Sequence, residues 1–422
     1  MNYYFQSTVR SARPSIIREF ANRTAQIEDA INLTLGEPDF NTPERIKQAG
    51  IKAIQDNHTR YTNNDGLREL RVAACDYFKR HYGLTYDPDW EMMVTHGSTE
   101  GLDVAFRTLL SSGDDVIIPA PVYPGYAPLI RFCGASPLFV DTSSNHFILT
   151  PDMLDKIYTP YTKCIVIPYP CNPTGAVPTR EELMAIVEWL LEHPDVFVVS
   201  DEIYAGLSYG KEHISIASLN RDIWERTIVL NGLSKSHAMT GWRIGFLAAP
   251  IKISDELYKV HQAIVTCAAS ISQYAAIEAV KDDKDTEIMK KAYSDRCDYF
   301  SNELKNMGFE LDKPDGAFYV FPSIKKYGMS STEFSNMLLD RCHIGTVPGN
   351  AFSSFGGGYI RMSIASSMDD LERCVQRMKP VMAEVCQSVP ATAVQIPMRL
   401  LICWAVPFRI IRQLTDTPTM MM

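Results

Sequence analysis

The segment NGLSKSHAMTGWRIG at residues 231–245 places a lysine and an arginine where packing alone would not favour them. Lys235 directly follows the apolar run TIVLNGLS (227–234), and Arg243 comes eight residues later. A lysine at the end of a strand can attack an aldehyde or carry a proton, and an arginine can hold an anion. Which chemistry is available depends on the side chains that neighbouring elements bring to the same place.

Short apolar runs alternate along the chain with longer amphipathic segments. The segments at 98–113 and 179–194 begin with Ser or Thr, which is typical of capped helices. Strands separated by helices predict an α/β fold with a mainly parallel sheet and helices on both faces. Beyond about residue 251, long helical stretches and strand-like segments at 316–324 and 357–367 predict a smaller α+β domain. The strands predicted for the main sheet are 114–120, 136–141, 164–170, 196–202 and 227–234.

Polar residues occupy the carboxyl ends of these predicted strands. Asp201 and Tyr204 come at the end of one run, Asn172 follows another, and Lys235 follows a third. In an open parallel sheet, ligands bind outside the carboxyl ends of the strands. We therefore expect an acid, a phenol, an amide and a lysine to converge on one crevice.

An anion site is predicted beside this crevice. Ser98 and Thr99 open the helix at 98–113, and free N–H groups at a helix N-terminus favour a phosphate. Ser234 and Arg243 would add a donor and a positive charge. A phosphate site beside a lysine and a carboxylate matches pyridoxal 5'-phosphate, whose aldehyde forms a Schiff base with a lysine and whose ring nitrogen needs an acid partner.

The chain resembles the fold-type I aminotransferases of class I and II, the aspartate aminotransferase superfamily. SKSHAMTGWRIG matches the family's lysine motif S-K-x-x-x-x-x-G-x-R-x-G, and LTLGEPDF, YPGY, NPTG and SDEIY match other family landmarks in the family's order. The resemblance covers about residues 27–386 and implies a seven-stranded type of sheet. Within this superfamily, the chain is most similar to the subgroup that contains aromatic, aspartate and N-acetyl-diaminopimelate aminotransferases.

The resemblance implies roles for the residues of the crevice. Lys235 is expected to form the Schiff base and to move the proton at the substrate α-carbon. Asp201 is expected to pair with the ring nitrogen. Tyr204 and Asn172 are expected to donate to the ring oxygen, and Tyr123 to stack on the ring. Lys235, Asp201 and Tyr204 are therefore the predicted catalytic residues.

The resemblance also implies how the anionic groups are held. Ser98, Thr99, Ser234 and Arg243 are expected to bind the phosphate of the cofactor. Tyr61 is expected to reach the phosphate from the neighbouring subunit, which implies a homodimer with shared sites.

The substrate is expected to bind through its α-carboxylate. Arg361 would form a bidentate contact, and Gly36 and Asn172 would complete the substrate site. The expected reaction is a ping-pong transfer from an L-amino acid, aromatic or of broad type, to a 2-oxo acid such as 2-oxoglutarate.

Four regions are predicted along the chain. Residues 1–45 form an arm that joins the small domain, 46–275 the large cofactor-binding domain and 276–387 the small domain. The tail at 388–422 differs in composition, and we expect a loosely ordered extension without a catalytic role, in preference to an interface anchor.

Composition excludes several classes of protein. The net charge is -9, and there is no long basic run, so a nucleic-acid partner is not expected. No apolar stretch has the length of a membrane span. Ten scattered cysteines without a C-x-x-C pair and the absence of a signal peptide predict a reduced, cytoplasmic protein. No metal site is predicted.

Two alternatives remain for the function. A C–S β-lyase or a cyclopropane-carboxylate synthase could use the same residues, because fold does not determine reaction. Release of pyruvate and ammonia from cystathionine would identify a β-lyase. A sensor that binds the cofactor without turnover would normally carry a DNA-binding domain, and the arm before residue 27 is too short for one.

Overall fold

The computed structural model describes residues 5–12 and 14–388. The tail predicted at 388–422 lies outside these residues, except for the last residue of the final helix. The helices are α1 (Ser7–Ser11), α2 (Ile16–Thr24), α3 (Glu44–Gln55), α4 (Arg68–Tyr82), α5 (Ser98–Leu109), α6 (Tyr126–Phe132), α7 (Pro151–Asp155), α8 (Arg180–Glu192), α9 (Arg221–Trp224), α10 (Ile251–Ile264), α11 (Ser270–Ala279), α12 (Lys284–Asn306), α13 (Ser331–Cys342) and α14 (Met368–Ser388). The strands are β1 (Ile31–Asn32), β2 (Met92–Thr95), β3 (Asp115–Ala120), β4 (Ser136–Asp141), β5 (Thr162–Ile167), β6 (Phe197–Asp201), β7 (Thr227–Gly232), β8 (Gly245–Ala248), β9 (Tyr319–Val320), β10 (Ile344–Gly345), β11 (Val347–Pro348) and β12 (Ile360–Ser363).

Seven strands form the central sheet in the order β2-β8-β7-β6-β5-β3-β4. Strand β8 runs antiparallel to β2 and β7, and the other neighbouring strands pair in parallel. The inner strands β5, β6 and β7 are buried almost throughout, as expected when helices cover both faces of a sheet. The predicted α/β fold with a mainly parallel seven-stranded sheet is confirmed.

Several predicted elements are longer than those that form, and the strands predicted at 316–324 and 357–367 shorten to β9 and β12. The apolar runs 164–170 and 227–234 continue beyond β5 and β7, and their last residues belong to loops that lead into the site. The helix predicted at 98–113 ends at Leu109, because Leu110 is already extended. The amide of Ser111 then donates to Asp114 Oδ2 over 2.7 Å, which closes a turn before β3.

Apolar side chains gather in separate clusters. Two clusters lie on the central sheet and its helices. A third combines Ile31 and Leu33 with residues between 289 and 385, and it also includes Tyr204, Leu207 and Ala238. Ile31 of β1 pairs in parallel with Ile344 of β10, so the N-terminal arm contributes to the third cluster. Strands β11, β12 and β9 form a small antiparallel sheet there. The division into an arm, a large and a small domain stays a prediction.

Within the part of the chain that the structure describes, no helix combines the length and the apolar character needed to cross a membrane.

Candidate active site

A cavity of about 1300 Å³ opens at the carboxyl ends of the parallel strands. Ligand pockets of this kind usually measure roughly 300–1,000 Å³, so a cofactor and a substrate both fit. The cavity brings together residues from the arm, from the loops after β5, β6 and β7, and from β12. The predicted site residues that line it are Gly36, Ser98, Thr99, Tyr123, Asn172, Asp201, Tyr204, Ser234, Lys235, Arg243 and Arg361.

Lys235 reaches the cavity from the loop after β7. Its Nζ donates to the carbonyl oxygen of Gly36 over 2.6 Å. Burial lowers the pKa of Lys235 to about 8, the charge of Glu37 opposes this shift, and the charges of Arg361 and Arg243 reinforce it. A substantial fraction of the amine is therefore neutral near pH 8, as a nucleophile or base requires.

Asp201 is the last residue of β6, and its carboxylate is buried. The hydroxyl of Tyr126 donates to Oδ2 over 2.7 Å, and the amide of Ile203 donates to Oδ1 over 3.3 Å. Burial raises the pKa of Asp201, and the bond from Tyr126 lowers it. Oδ1 retains capacity for a charged donor inside the cavity.

An anion site forms where α5 begins. Gly97 precedes the helix with φ 79°. Because glycine has no side chain, it cannot cap the first amides. A Cβ atom on Gly97 would lie 2.4 Å from Nη2 of Arg243, so the glycine allows the guanidinium to approach the helix N-terminus. Free amides, the helix dipole and a guanidinium together favour a phosphate.

Arg361 of β12 is a buried cation, with 1% of its surface exposed. Its guanidinium donates to Asn172 Oδ1 over 3.0 Å and to the carbonyl oxygen of Thr34 over 2.6 Å. Its Nε has no partner, and no described carboxylate forms an ion pair with it. A buried charge is costly when unpaired, so an anionic ligand beside Arg361 would be stabilising.

Aromatic side chains surround the space between these charges. The hydroxyls of Tyr204 and Tyr319 are 2.8 Å apart. The guanidinium carbon of Arg361 lies 4.4 Å from the ring centre of Tyr319, a cation–π contact. Tyr123 meets Tyr126 edge to face, with 5.5 Å between ring centres. These rings provide flat apolar walls for a planar ligand.

Tyr61 is the one predicted site residue that does not line the cavity, and 87% of its surface is exposed. Its predicted contact with a neighbouring subunit concerns a second chain, so its role stays a prediction.

The sequence interpretation missed several residues of the cavity. Tyr126 belongs to the quoted YPGY motif, but only Tyr123 received a role. Thr34 and Tyr319 both contact Arg361, and Gly97 shapes the anion site. Sequence offered a signal for Tyr126 and Thr34, which lie in the quoted motifs YPGY and LTLGEPDF, and for Gly97, which adjoins Ser98. The position of Tyr319 beside Arg361 depends on tertiary packing.

These features fit pyridoxal 5'-phosphate as a ligand. The anion site at α5 suits its phosphate, Oδ1 of Asp201 suits its protonated ring nitrogen, and Lys235 lacks an ion pair among the described residues. Arg361 remains available for a second anion in the same cavity. Among the described residues, no group of His, Cys, Asp and Glu side chains has a geometry that could hold a metal ion.

Several known proteins are similar to this chain in sequence or in structure. It is 50% identical over 380 residues, 90% of this chain and 96% of the relative, to a probable N-acetyl-LL-diaminopimelate aminotransferase of Bacillus subtilis. The structure resembles an aromatic aminotransferase of Pyrococcus horikoshii, with TM-score 0.82, 39% identity and coverage of 86% and 99% of the two chains. It also resembles the aspartate aminotransferase of Thermus thermophilus with maleate, with TM-score 0.85, 32% identity and coverage of 90% and 100%.

The family described as aminotransferase class I and II matches residues 28–378. The match spans most of the chain and agrees with the relatives and the fold. The resemblance inferred from the lysine motif is thereby confirmed. The chain belongs to the class I and II aminotransferases, which are pyridoxal-phosphate-dependent transaminases.

Proposed function

We propose that this chain binds pyridoxal 5'-phosphate in the cavity and transfers the amino group of an L-amino acid to a 2-oxo acid such as 2-oxoglutarate by a ping-pong mechanism. One observation carries the proposal. A lysine with a lowered pKa lies in one cavity with a buried acid and two separate anion sites. One anion site would take the cofactor's phosphate and the other the substrate's α-carboxylate.

The cofactor would be held at its phosphate and at its ring nitrogen. Ser98, Thr99, Ser234 and Arg243 bind the phosphate, with the N-terminus of α5 behind them. The carboxylate of Asp201 would accept a hydrogen bond from the protonated ring nitrogen. When bound, pyridoxal phosphate supplies an aldehyde for amino-group exchange and a protonated ring that accepts the electron pair released at the substrate α-carbon.

Lys235 is the group that moves the proton. With a pKa of about 8 it is available both as the amine that holds the aldehyde and as the base that takes the α-proton. Arg361 and Asn172 hold the substrate α-carboxylate, with the backbone of Gly36 beside it. Anchoring at both ends orients the α-hydrogen towards Lys235, so positioning provides much of the catalysis.

The tyrosines would adjust the cofactor. Tyr204 and Asn172 donate to its ring oxygen, and Tyr123 stacks on its ring. Tyr61 of a second copy would contact the phosphate, so we propose a homodimer with shared sites. The exposure of Tyr61 in a single chain supports this proposal, because a side chain that serves a neighbour projects from its own subunit.

The donor side chain would occupy the outer cavity, and we propose an aromatic or broad range of donors. Ile16 and Ile17 of α2 provide apolar surface there, which supports an aromatic or aliphatic side chain. Arg18 and Arg131 also line the cavity, and neither forms an ion pair with a described residue. The relative named as a probable N-acetyl-LL-diaminopimelate aminotransferase supports a donor with an acidic end as a second candidate.

The test is the absorption spectrum of the purified protein, recorded with and without single amino acids and with no oxo acid. We expect a visible band from the bound cofactor that shifts to shorter wavelength only with true donors. Lys235→Ala is the control and should not convert any donor. A band that no amino acid shifts, with pyruvate and ammonia released from cystathionine, would favour the β-lyase. Cofactor binding without either reaction would favour the sensor.

A further inference from the structure

A second buried carboxylate lies directly behind the proposed cofactor site. Glu202 follows Asp201, and its own surface is 0% exposed. Its amide donates to the carbonyl of Leu230 over 2.8 Å, so the backbone continues the pairing of β6 with β7. Side chains alternate along a strand, so Glu202 faces away from the cavity.

Three side chains donate to the Glu202 carboxylate. The hydroxyls of Ser200 and Ser215 lie 2.7 and 2.6 Å from Oε1, and Nε2 of His213 lies 3.0 Å from Oε2. All three side chains are buried. A carboxylate anion has acceptors only, and this set of donors matches that requirement. We call these four residues the Glu202 cluster.

No described role in the reaction uses this cluster, yet burying a carboxylate is expensive. A charge there acts on Asp201 through the interior, where screening is weak. Burial raises the pKa of Asp201, Tyr126 lowers it, and the charge of Glu202 raises it further.

The other titratable groups near the two carboxylates are tyrosines, one cysteine and one lysine. Those that face Asp201 are Tyr123, Tyr126, Cys171, Tyr204 and Lys235. Those that face Glu202, besides the cluster, are Tyr82 and Tyr86. Lys235 is the only cation among these described neighbours, and it faces Asp201 from inside the cavity.

We propose that Glu202 is a positioning residue for Asp201: the buried negative charge of the Glu202 cluster strengthens the hydrogen bond that Asp201 accepts from the protonated ring nitrogen of the cofactor. This rests on the proposed function, which pairs Asp201 with that nitrogen. Tyr126 acts in the opposite sense, because its hydrogen bond stabilises the ionised carboxylate without the proton. The two neighbours together set how firmly the proton is held.

The experiment compares Glu202→Gln with Val198→Ala. Val198 is buried on the same strand and projects to the same face as Glu202, so its truncation weakens packing without changing charge. Binding to apoprotein is measured for pyridoxal phosphate and for its analogue with carbon in place of the ring nitrogen. For Glu202→Gln we expect binding of pyridoxal phosphate to weaken about 10-fold, the scale seen for groups that support a direct ligand, and binding of the analogue to stay unchanged.

A second readout is the pH titration of the visible band of the holoenzyme, which should move in Glu202→Gln and not in Val198→Ala. Equal loss of both ligands in Glu202→Gln, with no change in that titration, would overturn the proposal and leave a structural role. His213→Gln keeps a neutral donor for Glu202 and should leave the titration close to that of the wild type. A shift opposite to that of Glu202→Gln would show that His213 neutralises Glu202 and would also overturn the proposal.

If Glu202→Gln does not fold, Ser215→Ala replaces it, because that change removes one donor and keeps the carboxylate. Because the carboxylate then keeps its charge with less compensation, a shift of the titration to higher pH supports the proposal, and an unchanged titration overturns it. Failure of the proposed function is distinguishable, because wild-type protein would then show either no visible band with pyridoxal phosphate or a band that no amino acid shifts.

Discussion

At the scale of single residues, the site is defined by charges held in unusual surroundings. Lys235 loses part of its charge through burial, whereas Arg361 keeps its charge without a described acid beside it. Asp201 is a buried carboxylate, and one of its oxygens already accepts a hydrogen bond from Tyr126. Each of these environments suits a charged or reactive group of the proposed ligands.

Lys235 should control how fast the apoprotein takes up the cofactor. Only the neutral amine attacks an aldehyde, so the rate should rise with pH and level off above about pH 8, where the lysine is deprotonated. The charge of Glu37 raises the pKa of Lys235, so Glu37→Gln should move the midpoint of the profile to lower pH. Stopped-flow absorbance after adding pyridoxal phosphate measures both profiles. A midpoint that does not move would contradict the assigned interaction.

Arg361 should contribute to substrate binding without contributing to the stability of the apoprotein. An apolar side chain of similar length carries no charge to desolvate at this buried position, and this gain offsets the lost hydrogen bonds of Arg361. We therefore expect Arg361→Met not to lower the Tm of the apoprotein, while kcat/KM falls at least about 100-fold, the cost of losing a charged contact to the substrate. Calorimetry and steady-state kinetics test the two halves. A large drop in Tm would show that Arg361 is mainly structural.

At the scale of elements, the N-terminus of α5 and the loop carrying Arg243 form one unit. The approach of the guanidinium depends on Gly97, whose φ of 79° and lack of a Cβ leave the necessary space. Strands β6 and β7 end side by side, which places Asp201 and Lys235 at the same edge of the sheet. Their proximity is a property of the sheet and not of either loop alone.

Gly97→Ala should damage the phosphate site selectively. The new Cβ would displace Arg243 and strain the backbone, so we expect binding of pyridoxal phosphate to weaken at least about 10-fold, the loss of roughly one charge-assisted hydrogen bond. Binding of pyridoxal, which lacks the phosphate, should change little. Gly241→Ala is the matched control, because Gly241 also lines the cavity and a Cβ there meets nothing within 4 Å. Equal effects of the two variants would refute the specific role of Gly97.

At the scale of the whole molecule, one cavity collects residues from distant parts of the chain. Arg361 and Asn172 are separated by 189 positions, and Lys235 and Gly36 by 199. The arm and β12 approach the carboxyl ends of the central sheet and enclose the cavity between them. Tyr61 does not line this cavity, and its side chain is exposed.

Mixed dimers should show whether sites are shared. Tyr61→Ala and Lys235→Ala chains should each be impaired alone. If Tyr61 serves the neighbouring site, a dimer of one chain of each kind contains one site with both residues intact. Unfolding, mixing and refolding the two variants should then restore activity, measured against each variant treated alone. No recovery in dimers shown to be mixed would place Tyr61 in the site of its own chain.

The sequence by itself determined the reaction class and much of the sheet. The order of its motifs, the lysine and the polar residues at strand ends identified eleven residues that line one cavity, because strand ends are readable from apolar runs. Only the tertiary structure decided that Tyr126 donates to Asp201, that Tyr319 and Thr34 surround Arg361, and that Glu202 is buried behind the site. These contacts join residues far apart in the chain, and their partners depend on how strands and helices pack, which local patterns do not encode.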